Sequence, residues 1–111
     1  MAGLLNESNL DTSVVPVARW ETKTEDFNAL EAKGYRVDTT STTINMTLPE
    51  TPTLDDKIFF MDLKSNFDTN ALTILRNGKK INGIADDLLV NVKNYSGHLI
   101  FTGDTDGWIL M

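Results

Sequence analysis

The chain has 111 residues, which is enough for one domain with a single hydrophobic core and too few for two ordinary domains. Its formal net charge is −6, and its ten Lys and Arg residues are scattered singly or in pairs, so no basic stripe predicts a nucleic-acid partner. The absence of cysteine excludes disulfides, thiolate nucleophiles and cysteine-based metal sites.

Residues 1–16 have no sustained hydrophobic period and are polar in the middle. They lack the cationic start and long apolar run of a secretory signal, which predicts synthesis in a cytoplasm and no membrane partner. Two interpretations are open: a frayed terminus, or an arm that becomes ordered on a neighbouring subunit. Apolar residues that favour the arm, and that we predict as interface residues, are Leu4, Leu5, Leu10, Val14 and Val15.

Residues 22–35 carry conflicting signals. Thr22 and Glu25 have the spacing of a helix capping box, good helix formers continue to Lys33, and Gly34 is placed where a helix would end. The aromatic residues of the same stretch fit a bent pair of strands equally well. The local sequence leaves helix and strand open.

Short apolar runs separated by turn residues follow to the end of the chain. In "TTINMTL" a period of two places Ile44, Met46 and Leu48 on one face of a strand. The nearly continuous apolar run "KIFFMDL" is typical of a central strand buried on both faces. The runs "ALTIL", "DLLVNV", "HLIF" and "GWILM" predict further strands. The pattern predicts an all-β domain over residues 17–111, a small antiparallel β-sandwich or barrel-like fold with residues 1–16 as an extended N-terminal arm.

Asn77 and Gly78 predict a structural turn, because Asn followed by Gly supplies the two positive-φ residues of a two-residue type I′ turn. The runs on either side, "ALTIL" and "KKING", are then expected to pair as a hairpin. In that hairpin Ile74 and Ile81 point to the same side.

No set of residues suited to catalysis is apparent. His98 is the only histidine, and no motif such as Gly-x-Ser-x-Gly surrounds a serine. Carboxylates that are neighbours in sequence point to opposite faces of a strand and do not converge on one bond. Such pairs occur at residues 25–26, 55–56 and 86–87. We therefore predict no catalytic residues and no enzymatic activity, and we expect these carboxylates to serve turns.

Two runs resemble the start of a calcium-binding EF-hand loop, one at Asn66 and one at Asp104. The first has Ala71 where the loop needs Gly and Asn77 where it needs Glu, and the second has no acidic residue after Asp106. We predict no metal and no cofactor, and we expect the side chains of both runs to bond their own loops.

Trp20 and Trp108 are aromatic residues at the ends of predicted strands. Either is able to stack on a sugar, but such residues more often belong to a core or an interface. We predict Trp20, Trp108 and Ile109 as interface residues, with Phe59 and Phe60 as further candidates.

Several motifs occur together between about residues 20 and 108. They are "GYRVDTT", "INMTLPETPTLDDKIFFMDL", "FDTNALTILRNGKKING", "DDLLVNV" and "GWILM". In this order they resemble a small β domain of bacteriophage virion surface proteins, of the tail fibre or head decoration type. One departure is Asp55, where the resembled domains usually have Gly, so we expect a left-handed or different turn there. The resemblance favours strand over helix for residues 26–33.

The resemblance implies structural work on a virus particle, usually as a homotrimer. In one placement the protein is a capsid decoration or cement protein on the virion surface, with other virion proteins such as the major capsid protein as partners. In the alternative it is a tail fibre, whisker or baseplate tip component that attaches to a host-receptor glycan. The short length favours the first placement, because a tail fibre usually has a long shaft.

Overall fold

The computed structural model of the protein describes residues 19–111, and the arm predicted over residues 1–16 lies outside them. Residues 19–111 form nine β-strands and no helix, and therefore no helix that could cross a membrane. The prediction of an all-β fold is confirmed. The strands are β1 (Arg19–Lys23), β2 (Phe27–Asn28), β3 (Lys33–Val37), β4 (Ile44–Thr47), β5 (Lys57–Asp62), β6 (Leu72–Leu75), β7 (Leu88–Val90), β8 (Ser96–Phe101) and β9 (Trp108–Leu110).

The strands form two mixed sheets, one of five strands in the order β1-β3-β5-β8-β9 and one of four in the order β2-β4-β6-β7. From β1 to β6 the chain alternates between the sheets, so each strand runs parallel to the strand two before it. Antiparallel pairing occurs at β5-β8, β6-β7 and β8-β9. The prediction of an antiparallel fold is therefore wrong for the first six strands, because their connections cross between sheets instead of forming hairpins.

The inward faces of both sheets share one hydrophobic core. The alternation predicted in β4 is confirmed, since Ile44, Met46 and Leu48 are all buried. The rings of Phe27 in the four-stranded sheet and Tyr35 in the five-stranded sheet lie 4.6 Å apart between centroids, which joins the two layers.

Strand β5 is the third of the five strands in its sheet, as its apolar sequence predicts. Its inward side chains, Ile58, Phe60 and Asp62, are buried. Phe59 and Met61 point to the opposite face and are only half-buried. The prediction that this strand is buried on both faces is therefore wrong for the described part of a single chain, because no second layer of strands packs on its other face within residues 19–111.

The helix signals of residues 22–35 are overridden by pairing with other strands. Strand predictions over residues 26–33 hold at Phe27–Asn28 and at Lys33, whereas residues 29–32 form a loop. The backbone N–H of Ala29 donates to the Thr47 carbonyl at 2.8 Å, so this stretch is hydrogen-bonded along the edge of β4. Local helix propensity is small compared with such tertiary contacts.

Asn77 and Gly78 have φ angles of 52° and 94°, and the Lys79 N–H donates to the Arg76 carbonyl at 3.3 Å, which is the geometry of a type I′ turn. A hairpin continuing from this turn requires the Arg76 N–H to bond the Lys79 carbonyl. That N–H instead donates to Oδ1 of Asp87 at 2.9 Å.

The predicted hairpin between "ALTIL" and "KKING" is therefore wrong. Strand β6 takes β7 as its antiparallel partner. Ile81 forms isolated bridges with Ile84 and with Trp108, so the residues after the turn cross to the edge of the five-stranded sheet. Ile74 and Ile81 are both buried in the shared core.

Candidate functional site

The five-stranded sheet has one face on the core and one face that is only partly covered within residues 19–111. We call the second face the outer face. Strand register places on it the side chains, or for glycine the backbone, of Trp20, Thr22, Gly34, Arg36, Lys57, Phe59, Met61, Ser96, His98, Ile100, Ile109 and Met111. Six of these residues are large and apolar, and a patch of this kind with a polar rim is typical of an interaction site.

A row of aromatic side chains crosses the outer face. Trp20, Gly34, Phe59 and His98 occupy paired positions on four neighbouring strands. A β-carbon at Gly34 would lie 2.5 Å from Cδ2 of Trp20, so the indole ring rests directly on the glycine backbone. The Phe59 ring lies 6.3 Å from Trp20 and 5.0 Å from His98 between centroids, and it stacks on His98 with an interplanar angle of 27°. The glycine therefore makes room for a continuous aromatic surface.

Arg36 lies beside this row and fixes the edge of the sheet. Its Nε donates to Oγ1 of Thr22 at 2.9 Å, and its guanidinium donates to the Trp20 carbonyl at 3.4 Å. The other charged residue at an outer-face position is Lys57, and no Asp or Glu occupies such a position in the described strands. In a chain of net charge −6, the outer face is therefore both apolar and cationic.

The opposite surface of the molecule differs in chemistry. The outward positions of the four-stranded sheet hold Asn28, Asn45, Thr47, Thr73, Leu75 and Leu89. Four of these six side chains are polar, as expected for a face exposed to water. This contrast identifies the outer face of the five-stranded sheet as the candidate functional surface.

The structure separates the residues that the sequence predicts as an interface. Trp20, Phe59 and Ile109 are half-buried on the outer face, whereas Phe60 and Trp108 are fully buried in the core of the same chain. The interface prediction for those two residues is therefore wrong. The alternation of side chains along β9 sends Trp108 inward against Phe101, with ring centroids 5.3 Å apart, and Ile109 outward. The predicted arm residues Leu4, Leu5, Leu10, Val14 and Val15 lie outside the described residues.

Sequence reasoning missed the remaining members of the outer face. Met61 and Ile100 alternate with buried neighbours in the structure, but "KIFFMDL" and "HLIF" are apolar at successive positions, so the sequence does not show which of these residues point outward. Arg36 and His98 carry no local signal either. Their place beside Trp20 and Phe59 depends on which strands pair and in which register.

One carboxylate of each pair accepts a backbone N–H group, at a turn for Asp56 and Asp87 and at strand β4 for Asp26. Oδ1 of Asp26 accepts the Asn45 N–H at 2.8 Å, Oδ2 of Asp56 accepts the Thr53 N–H at 2.8 Å, and Asp87 accepts the Arg76 N–H. Asp26 and Asn45 also line a shallow polar depression with Glu25, Thr42 and Thr43. Within residues 19–111 no three His, Asp or Glu side chains are grouped in a way that could hold a metal ion.

The calcium-like run at residues 66–70 is used within the fold. The side-chain amides of Asn66 and Asn70 both donate to the Thr39 carbonyl at 2.9 Å. No local sequence pattern indicates that the neighbouring Asp62, which is buried, organises this region. Its two carboxylate oxygens accept backbone N–H groups from residues 66, 67 and 94, each at 3.0 Å.

Among residues 19–111, three carboxyl or phenol groups have displaced pKa values, and none of the three lies at an outer-face position. A hydrogen bond from Lys33 and its positive charge lower the pKa of Glu21, whose Oε2 lies 2.9 Å from Nζ. Burial raises the pKa of Tyr35. Hydrogen bonds from Thr40 lower the pKa of Asp38. These groups stabilise the fold around β1 and β3.

Comparison of the sequence with protein-family models and with curated proteins found no match. The chemistry of the outer face and the motifs of the sequence are therefore the observations that bear on function.

Proposed function

We propose that the protein is a non-enzymatic structural component of a bacteriophage virion, a homotrimeric capsid decoration or cement protein exposed on the particle surface. The single observation that carries the proposal is the apolar and cationic outer face on an otherwise acidic chain. Such a face is suited to contact with a protein surface, because association removes its large side chains from water. In this proposal the two sheets form a β-sandwich, and residues 1–16 form an extended N-terminal arm.

One edge of the five-stranded sheet also favours association. The β9 edge is extended by residues 80–82, since the Trp108 N–H donates to the Lys80 carbonyl at 2.8 Å and the Asn82 N–H donates to the Trp108 carbonyl at 2.7 Å. At the other edge no strand within residues 19–111 pairs with the outer side of β1. An open strand edge next to an apolar face is protected when subunits associate. The number of subunits, three, comes from the motif resemblance.

The proposal is tested by locating the protein on the particle. Antibody raised against the purified chain is applied to the encoding phage in immunogold electron microscopy, and the mass of the purified chain is measured by light scattering. Gold over the whole head and a trimeric mass support decoration. A particle without label, or a strictly monomeric chain, contradicts it.

A second candidate function is attachment to a host-receptor glycan by a tail fibre, whisker or baseplate tip. The observation that favours it is Trp20, whose indole has one side on Gly34 and is only partly buried. A flat, partly exposed aromatic ring is suited to stacking on a sugar ring. Gold restricted to the tail supports this candidate. Binding to purified host surface polysaccharide that is lost in Trp20→Ala and kept in Leu89→Ala gives independent support.

A further inference from the structure

We infer that the outer face of one subunit binds the surface formed by residues 84–89 of a second copy of the chain. We call this second surface the acidic loop surface. The inference rests on the proposed function, because it names the contact through which the subunits associate. Both surfaces lie within residues 19–111, and they match in apolar character and are opposite in charge.

The acidic loop surface combines exposed apolar side chains with carboxylates. Ile84 and Leu89 are each 57% exposed, and Asp86 and Asp87 are exposed between them. No Lys or Arg occurs within residues 84–89. A small depression of about 150 Å³ is lined by Ile81, Asn82, Ile84, Asp86, Asp87 and Leu88. Such a depression is suited to a large apolar side chain of a partner, of the kind that the outer face presents.

A second acidic depression of the chain has a different character. It is lined by Glu25, Asp26, Thr42, Thr43 and Asn45. All five of these side chains are polar, so this depression offers no apolar contact to the aromatic row. The acidic loop surface matches the outer face in both respects.

The charges of the two surfaces have no ionic partners in the described part of the chain. Arg36 and Lys57 form no ion pair within residues 19–111, and neither do Asp86 and Asp87. Two outer faces packed on each other would bring cations together without a carboxylate, which is costly once water is removed. Packing on the acidic loop surface instead places opposite charges together, which favours this partner and its orientation.

The two surfaces cannot meet within one folded chain. The outer face points away from the four-stranded sheet, whereas Leu88 and Leu89 belong to β7 of that sheet. Ile81 and Ile84 exchange backbone hydrogen bonds of 2.9 and 3.0 Å, which fix the start of the loop. Strands β5, β8 and β9 separate Arg36 in β3 from residues 80–82, a distance of about 19 Å at about 4.8 Å per strand.

Contact between these surfaces therefore requires a second copy of the chain. Because the contact joins two different surfaces, it is heterologous. Repeated around a rotation axis, a heterologous contact closes a ring such as a trimer.

Charge reversal tests the inference at two exposed residues, with Lys57→Glu on the outer face and Asp86→Lys on the acidic loop surface. At low salt each single variant is expected to weaken association by about tenfold or more, because it places like charges together. The double variant Lys57→Glu/Asp86→Lys is expected to recover most of the loss, since opposite charges meet again. Lys64→Glu and Asp68→Lys, at exposed residues on neither surface, are the matched controls. Sedimentation equilibrium measures the association constant of each protein.

Disulfide formation tests the proximity of the two surfaces, because the sequence contains no cysteine. An Ile84→Cys chain and an Ile100→Cys chain, distinguished by a tag, are mixed and oxidised gently. Thr47→Cys, on the outward side of the four-stranded sheet, replaces Ile100→Cys in the control mixture. Met61→Cys is a second outer-face position if Ile100→Cys does not fold. The mixed disulfide is expected to form about tenfold faster or more with the outer-face position, because association raises the effective concentration.

The outcomes distinguish this inference from the proposed function. A trimeric parent whose association is unchanged by Lys57→Glu and by Asp86→Lys overturns the inference and leaves the proposed function standing. Weaker association in both single variants without recovery in the double variant overturns it as well, since the two residues then face different partners. Equal disulfide rates for Ile100→Cys and Thr47→Cys in a trimeric protein have the same meaning. A monomeric parent overturns the inference together with the proposed function.

Discussion

The indole ring of Trp20 in β1 lies on the backbone of Gly34 in β3, where an added β-carbon would come within 2.5 Å of Cδ2. The two residues are paired in the register of the parallel strands. An aromatic ring over a strand glycine compensates for the missing side chain of the glycine. The pair therefore positions the first member of the aromatic row.

Gly34→Ala is expected to destabilise the folded chain by about 1–3 kcal/mol, because the new methyl group and the indole compete for the same space. In a Trp20→Ala background the same change is expected to cost far less, since the ring that it meets is absent. Urea unfolding of the parent, both single variants and the double variant measures the coupling free energy of the pair. Equal costs of Gly34→Ala in both backgrounds would show that the ring does not occupy this position.

Gly78→Val is expected to destabilise the chain by about 1–2 kcal/mol, because Gly78 has a φ of 94° that a β-branched residue resists. A β-carbon at this position has no atom within 4 Å, so the cost comes from the backbone alone. Gly78→Asn is the matched control, because Asn tolerates positive φ better. Thermal unfolding midpoints in the order parent, Asn, Val are expected. A Val variant as stable as the parent would contradict the turn.

The sequence correctly predicts features that depend only on the residues of a single strand. The alternation of Ile44, Met46 and Leu48 follows from local periodicity, and the central place of β5 follows from its nearly continuous apolar run. At Asp55, where a left-handed or a different turn was expected, the structure has the left-handed conformation, with a φ of 73°. Sequence reasoning failed for strand pairing, because the partner of a strand depends on contacts with residues that are distant in the chain. The Asn77 turn is local, but the strand that pairs with β6 is selected by bonds such as that from the Arg76 N–H to Asp87.

The same distinction applies to the candidate surface. The sequence correctly places Trp20 and Ile109 at the surface. Trp108 was misassigned because β9 has only three residues, all of them apolar, so the sequence does not show which of them point inward. Arg36 and His98 join the surface only through the parallel register of β1, β3 and β5 and the antiparallel register of β8. No local pattern contains that register.

Asp62→Asn is expected to lower the free energy of unfolding by about 2–4 kcal/mol. The carboxylate accepts three backbone N–H groups, and an amide places donor hydrogens against at least one of them. Asp68→Asn, an exposed change in the same loop, is the matched control and is expected to shift stability by less than about 0.5 kcal/mol. Chemical denaturation at pH 7 measures both. Equal effects of the two substitutions would contradict the role of Asp62.

Tyr35→Phe is expected to lower the free energy of unfolding at pH 7. It is also expected to make that free energy fall less steeply as the pH rises above about 10. At neutral pH the Leu30 N–H loses the phenol oxygen that accepts it at 2.8 Å, at a cost of about 1 kcal/mol. Burial raises the pKa of Tyr35, so the folded chain holds the phenol proton more firmly than the unfolded chain. The stability from this group is therefore complete below the ordinary tyrosine pKa of about 10 and is lost as the pH rises through the higher folded pKa.

The parent and Tyr35→Phe curves of unfolding free energy against pH are therefore expected to converge above about pH 10. Denaturant unfolding between pH 7 and pH 11 measures both curves. Tyr95, the other tyrosine, and all lysines are common to the two proteins, so the difference between the curves isolates Tyr35. Curves that stay parallel across this range would show that the Tyr35 phenol ionises equally readily in the folded and unfolded chains. That result would contradict the burial of Tyr35 against the Phe27 ring.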